Sequence, residues 1–378
     1  MDTALLNRVR TRLVRDGAAV THDRLAEAVR AETGGVVTDA DLLETLRLLN
    51  RELAGAGPLD PLLRLDGITD VLVTGPGPVW VDRGDGLERT DVVLPDEDGV
   101  RRLAQRLAAT AGRRLDDAQP FVDGWLPGGV RLHAVLAPVA AAGTCVSLRV
   151  LRPATHDLAA LRRLGTFDGE AEDLLRALVA ARLSFLVVGG TGSGKSTLLN
   201  ALLGQVDHRE RILCVEEAEE LQPAHPHVVR LLARPPNIEG AGLVTTQDLV
   251  RQALRMRPDR IVVGEVRGPE VADLLAAMNT GHEGCAGTLH ANSATEVPAR
   301  LEALAGLPRP ALHSQLGAAL QVVLHLRRDQ DGLRRLTGLA VLDRTDDHVR
   351  AVPAWHHVHG WTVGAKRLTT LLESGART

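Results

Sequence analysis

The sequence predicts an α/β protein, a parallel-sheet core preceded by a smaller α+β domain and an N-terminal helical segment. Three observations carry this expectation. Short apolar runs around Phe185, Ile212 and Ile261 and over residues 287–289 alternate with stretches of helical spacing, the order expected of a parallel sheet. One such run, residues 183–188, is joined to a helical stretch by a loop rich in glycine. Ahead of them, residues 57–152 change to short strands and turns.

The elements follow in order. Residues 1–56 read as helical: Thr38-Asp39-Ala40-Asp41 resembles a capping box, and Leu42, Leu43, Leu46 and Leu49 make one apolar face. Gly55, Gly57 and Pro58 end that pattern. Residues 57–152 hold strands near 68–73, 79–81, 131–136 and 145–150. Between them lies a helix with Val100, Leu103, Ala104 and Leu107 on one side. Residues 153–167, opening at Pro153 and mostly polar, read as a linker. Residues 168–378 form the core domain. Its Asp331-Gly332 pair, between apolar runs at 321–326 and 333–341, marks an appended hairpin.

Composition narrows the classes of function. At 378 residues the chain is long enough for two or three domains, each with a core. A net charge of -4 and no long basic block argue against extended nucleic-acid binding. Tyrosine is absent, and three Phe and four Trp offer few platforms for stacking single-stranded bases, so no nucleic-acid partner is expected. Cys145, Cys214 and Cys285 are scattered without the spacing of a thiol metal site or a disulfide framework. No stretch is apolar enough to span a bilayer, and the start lacks a signal pattern. The expectation is a soluble cytoplasmic protein, with membrane attachment only through partners.

The glycine loop carries the chemistry. Gly189-Gly190-Thr191-Gly192-Ser193-Gly194-Lys195-Ser196-Thr197 is a complete phosphate-binding loop between a strand and a helix. In that setting successive backbone N–H groups and the helix N-terminus make an anion site. Lys195 is one of only two lysines, the other being Lys366, in a chain that otherwise uses arginine. A slim ammonium reaches between phosphates where a planar guanidinium fits poorly. ATP and Mg²⁺ are the ligands expected: Lys195 on the β- and γ-phosphates, Ser196 on the metal, Thr197 on the α-phosphate. Arg260-Ile-Val-Val-Gly264-Glu265 is an apolar strand ending in an acid, and residues 211–217 form another, ending in Glu216 and Glu217. Ligands gather at the carboxyl ends of such strands. One acid could hold Mg²⁺, directly or through water, and another could orient the attacking water. A single strand-end acid is more often a solvated group or a helix cap, but three acids at two strand ends downstream of the glycine loop favour the functional reading.

Several longer words resemble one family. They are Leu126-Pro-Gly-Gly-Val-Arg131, Pro226-His-Val-Val-Arg230, Arg234-Pro-Pro-Asn-Ile-Glu-Gly240, Leu254-Arg-Met-Arg-Pro-Asp-Arg260, Gly264-Glu-Val-Arg-Gly268, Thr280-Gly-His-Glu-Gly284 and Thr288-Leu-His-Ala-Asn-Ser293. Together they resemble the type II/type IV secretion-system ATPases, in the TadA/CpaF branch that serves tight-adherence pili and conjugation-like machines, over residues 60–341. The resemblance implies a RecA-like P-loop core and an ATPase working as a homo-oligomeric ring, a hexamer, on an inner-membrane platform protein. It makes Glu216 and Glu217 the acidic box, Glu265 the Walker B glutamate and His290 the histidine of the His box. It also extends Arg131 and Arg149 from the N-terminal domain toward the nucleotide. Glu217 stands where the family usually has Asp, which favours Glu216 for catalysis, and His133 stands where Asn is usual.

Other readings stay open at this point. From spacing alone Arg131 and Arg149 could be ordinary salt-bridge residues, His290 a satisfied core histidine, and His282 carries less weight still. His356, His357 and His359 could suggest a metal, but no thiol or acid completes the set. A nucleotide-gated scaffold that does not hydrolyse, or a nucleic-acid translocase of similar core, are the competing functions.

Overall fold

The structure is a computed structural model that describes residues 31, 55–84, 86–151, 156–237, 240–345 and 348–375. The capping box at Thr38 and the leucine stripe at 42–49 lie outside the described residues. The chain divides into two compact units, Met1–Leu151 and Arg152–Thr378.

The first unit is a six-stranded antiparallel sheet in the order β3-β2-β1-β6-β5-β4, with β1 Asp70–Thr74, β2 Gly77–Asp82, β3 Leu87–Leu94, β4 Phe121–Leu126, β5 Val130–Val135 and β6 Cys145–Val150. A short helix, α1 (Asp60–Leu63), precedes the sheet, and α2 (Glu97–Thr110) packs on it. Strict alternation aims the strands: Val130, Leu132 and Ala134 of β5 are buried while Arg131 and His133 face out. Val100, Leu103, Ala104 and Leu107 of α2 close the core over Val71, Leu132 and Leu148. Asp96 caps α2 by accepting from the Gly99 N–H at 2.6 Å. Two strands escaped the sequence reading for physical reasons. The edge strand β3 is largely exposed and charged, and Gly124 interrupts the apolar pattern of β4.

The second unit opens with α3 (Leu158–Arg163) and α4 (Gly169–Ala180). Of the expected linker over 153–167, the described part, from residue 156, needs correction. Leu158 and Leu161 are buried in the main core, Asp157 caps α3 through the Ala160 N–H, and Arg162 pairs with Glu172 of α4 at 3.2 Å. The stretch is polar on the side that faces solvent, which is what made it read as a linker. The sheet then collects β7 (Phe185–Val188), β8 (Ile212–Glu216), β9 (Val228–Leu232), β10 (Arg260–Val266), β11 (Ala286–Leu289), β12 (Val322–Arg328), β13 (Arg334–Thr345), β14 (His348–His356) and β15 (Gly360–Trp361). Their order is β15-β14-β13-β12-β7-β11-β10-β8-β9. From β12 to β9 every neighbouring pair is parallel, and β13 to β15 add antiparallel strands. β7, β8 and β11 are buried along their whole length, as strands covered on both faces must be.

The hairpin at Asp331-Gly332 is present, although it is not an appendage. β12 pairs directly with the central strand β7, Val322 opposite Phe185 and Leu324 opposite Val187. The turn is longer than a two-residue one. Gly332 N–H bonds Asp329 O at 3.0 Å and Asp329 N–H bonds Leu333 O at 2.8 Å, with Gly332 at φ 82°. That is a turn with a glycine bulge.

Leu324 is fully buried in the main core. Leu324→Ala is therefore expected to cost about 2–5 kcal/mol, read by urea denaturation of the full chain, whereas a peripheral hairpin would leave the midpoint nearly unmoved.

Candidate functional site

Parallel pairing lines up the carboxyl ends of β7, β11, β10 and β8, and the expected site residues sit there in that order. The loop after β7 leads into α5 (Lys195–Leu203), whose N-cap Gly194 has φ 95°. Glycine is required where the loop turns tightest. A Cβ on Gly189 would lie 2.3 Å from the Leu326 carbonyl oxygen and 2.6 Å from Ser193 Oγ, and Gly192 has φ 71°. Ser193 Oγ is buried and makes no hydrogen bond.

Lys195 is buried, and its ammonium has three protons to place. It donates to Gly189 O at 3.1 Å and Gly190 O at 2.9 Å, and its Nζ lies 3.4 Å from His290 Nε2. Burial lowers its pKa, while the nearby Glu265 and Glu220 charges oppose the shift. His290 follows β11 and stands between two charges, with Nε2 3.0 Å from Glu265 Oε1. Burial and the Lys195 charge lower its pKa, which favours the neutral ring. One ring nitrogen thus faces a donor and an acceptor at once, and the tautomer selects which one it serves.

Glu265 lies near the end of β10 and is about one quarter exposed. Its Oε2 accepts from Arg267, whose other terminal nitrogen donates to Glu217 Oε2 at 2.9 Å. The hydrogen bond that Arg267 donates to Glu265 raises the Arg267 pKa above its ordinary value. Arg267 therefore bridges the two acids.

Glu216 differs from what the sequence reading assigned it. It ends β8, is 2 % exposed, and its Oε1 accepts the backbone N–H groups of Glu220 at 3.1 Å and Leu221 at 2.9 Å. Oε2 is buried and makes no hydrogen bond. A Cβ on Gly264 would lie 2.8 Å from Glu216 Cγ, so the glycine before Glu265 is what admits this carboxyl under β10. Burial raises the Glu216 pKa to about 7. Glu216 holds the turn that carries Glu220, and Glu220 is the acid that reaches the loop: Ser196 Oγ donates to Glu220 Oε2 at 2.7 Å.

Sequence reasoning missed Glu220 and Arg267. Each follows a recognised acid at short spacing, four residues after Glu216 and two after Glu265, and that spacing was the only available signal. Thr197 lies in the first turn of α5. His282 sits before β11, at the opposite end of that strand from His290, and its Nδ1 is 3.3 Å from Ala277 O. The rings of His356 lie 4.6 Å from His357 and 4.8 Å from His359. Among the described residues no group of three or more His, Cys, Asp or Glu could hold a metal ion.

Arg131 and Arg149 belong to the first unit and stand directly opposite each other on β5 and β6. Arg149 Nε donates to Asp70 Oδ1 at 2.9 Å, and Arg131 reaches Asp123 Oδ1 at 3.4 Å. His133 Nδ1 is 3.3 Å from the other oxygen of Asp123. Both guanidinium groups are about half exposed.

A parallel sheet bearing a glycine loop, a lysine at a helix start and a row of acids at its strand ends defines a P-loop nucleotide-binding protein. The chain belongs to the type II/IV secretion system protein family, whose profile matches residues 52–370. It is 62% identical over 347 residues to a putative conjugal transfer protein of Mycobacterium tuberculosis, spanning 89% of this chain and 99% of that one. It is 34% identical over 310 residues to the type IV secretion system protein PtlH of Bordetella pertussis, spanning 73% and 91%. In fold it is similar to the pilus retraction motor PilT solved with bound ADP, with a TM-score of 0.53 at 22% identity over 82% of this chain and 84% of that one. The fold is RecA-like, and among the described residues no helix is long and apolar enough to cross a membrane.

The raised Glu216 pKa has a definite sign. Between about 4.5 and about 7 the folded state keeps a proton that the unfolded chain releases, so this group's stabilising contribution is lost as pH rises through that window. Denaturant titrations from pH 4 to 8 should show wild type losing stability relative to Glu216→Gln across it; parallel curves would contradict the assignment.

Proposed function

We propose that this protein is an ATP-hydrolysing motor of a type II/type IV secretion or pilus-assembly machine. The single observation that supports it most is the row Lys195, His290, Glu265 at adjacent strand ends, with Ser196 and Glu220 beside it.

The residues fit ATP with Mg²⁺. Gly189, Gly190, Thr191, Gly192, Ser193 and Gly194 supply backbone donors to the phosphates, and Thr197 supplies a hydroxyl. Ser196 and Glu220 would hold Mg²⁺, with Glu265 within reach through water. The metal supplies neutralising charge to the phosphate oxygens when bound. Lys195 exchanges its contacts with the Gly189 and Gly190 carbonyls for phosphate oxygens. Glu265 orients the attacking water and accepts its proton, and neutral His290, donating its Nε2–H to the Glu265 carboxylate, holds that carboxylate in place. Arg267 keeps Glu265 from swinging away, and Glu216 fixes the Glu220 turn from below.

Arg131 and Arg149 act on the same nucleotide in this reading. Arg131 is paired with the exposed Asp123 and Arg149, itself about half exposed, with the more buried Asp70; ion pairs that reach solvent are worth little and can be exchanged for phosphate. A guanidinium at the developing charge contributes roughly 10³- to 10⁵-fold in rate. Binding would draw the first unit onto the nucleotide, and hydrolysis would release it. The working form in this proposal is a homo-hexameric ring on an inner-membrane platform protein, at the cytoplasmic face. The words quoted from the sequence favour the TadA/CpaF branch, and the mycobacterial relative's name favours conjugal transfer.

Phosphate release by the purified full chain tests the proposal. Lys195→Ala, Glu265→Gln and Glu220→Gln should each lower kcat by about 10²-fold or more, while Glu265→Gln still binds ATP. Equal turnover by all variants would refute the site, and nucleotide-dependent assembly without any turnover in wild type would favour the scaffold.

A further inference from the structure

One cation at the phosphate loop has no role in the scheme above. Arg334 opens β13 and donates its Nε to the Gly192 carbonyl at 2.9 Å. Its stem lies along the loop as well, since a Cβ on Gly194 would meet Arg334 Cδ at 3.1 Å. Topology explains why it arrives there. β12 runs parallel to β7, so the turn after β12 rises at the same end of the sheet where the phosphate loop leaves β7.

The loop needs such a neighbour. Four of the six residues 189–194 are glycine, and Gly192 and Gly194 both have positive φ. Glycine loses more freedom than any other residue when it is fixed in one conformation. A loop whose N–H groups turn inward to an anion turns carbonyls outward. Arg334 takes one of those outward carbonyls, and it does so from a strand whose position is set by the sheet. The turn is itself tied down: Arg335 donates to Asp329 at 2.7 Å and to Asp331 at 2.7 Å, and Arg327 donates to Asp329 at 2.8 Å.

We infer that Arg334 is a positioning residue that presets the phosphate loop from the neighbouring strand, so that every nucleotide using the loop depends on it. This rests on the loop being the nucleotide site. Because the contact is to the loop and not to the terminal phosphate, diphosphate and triphosphate should depend on it equally. Neither the hydrolytic acids nor the metal ligands touch it.

The test is titration of the full chain with fluorescent ADP and with a slowly hydrolysed fluorescent ATP analogue, for wild type, Arg334→Ala, Arg334→Lys and Lys195→Ala. Arg334→Ala should weaken both ligands by about tenfold, with the KM for ATP rising more than kcat falls. Arg334→Lys, which keeps a charged donor on a long stem, should fall between the two, and it carries the test if the alanine variant melts early. Unchanged affinity in Arg334→Ala, or a loss confined to the triphosphate, overturns the inference. Lys195→Ala binding as tightly as wild type would instead remove the nucleotide reading beneath it.

Discussion

The Lys195 ammonium is the constraint on which the site is built. A cation withdrawn from water is costly unless its protons find partners and a counter-charge stands near. Here the loop carbonyls of Gly189 and Gly190 take the protons, and Glu265 and Glu220 supply the charge. The glycines that let the loop fold back on Lys195 are also what open its N–H groups inward. The sheet order β7-β11-β10-β8 then sets which side chains can stand beside it: His290 from the next strand and Glu265 from the one after. Remove the ammonium and Glu265 keeps only Arg267 and His290, and His290 loses the neighbour that helps to keep it neutral.

One buried and one exposed acid, on β8 and its turn, show how position divides labour among chemically similar groups. Glu216 and Glu220 are the same residue type four positions apart. Glu216 sits inside the sheet edge, where desolvation pushes its carboxyl toward neutrality and two backbone N–H groups occupy its one satisfied oxygen. Glu220 stands outside on the turn and meets a hydroxyl of the helix start. Both N–H bonds reach one Glu216 oxygen and the other is buried, whereas Glu220 is exposed beside Ser196, so the turn uses one glutamate to hold and the other to present.

Much of this was legible in the sequence and the remainder was not, for identifiable reasons. The phosphate loop, the strand ending at Glu265 and the strand ending at Glu216 are local patterns, and local patterns survive in one dimension. The division of roles between Glu216 and Glu220 depends on which carboxyl lies under Gly264, a contact between two strands that no spacing along the chain reveals. Arg267 and Arg334 were hidden for another reason: in a chain that uses arginine almost everywhere for positive charge, one more arginine carries no signal. The helix α3 was hidden by its own exposed face, and β12 by the turn after it, which marks a hairpin but cannot say that its first strand pairs with β7.

Arg131 and Arg149 make a different kind of argument, from cost. Like charges directly opposite on adjacent strands are destabilising, and these two face each other across β5 and β6. Among the described residues each is offset by one aspartate, and both aspartates serve from flanking strands, Asp123 on β4 and Asp70 on β1. His133, two residues along on the same outer face, shares Asp123 with Arg131, which leaves that guanidinium the less well satisfied of the two. A sheet face selected for stability alone would alternate charge or use threonine there. In the proposed function, a multiply charged anion would offset the repulsion between these two half-exposed guanidinium groups.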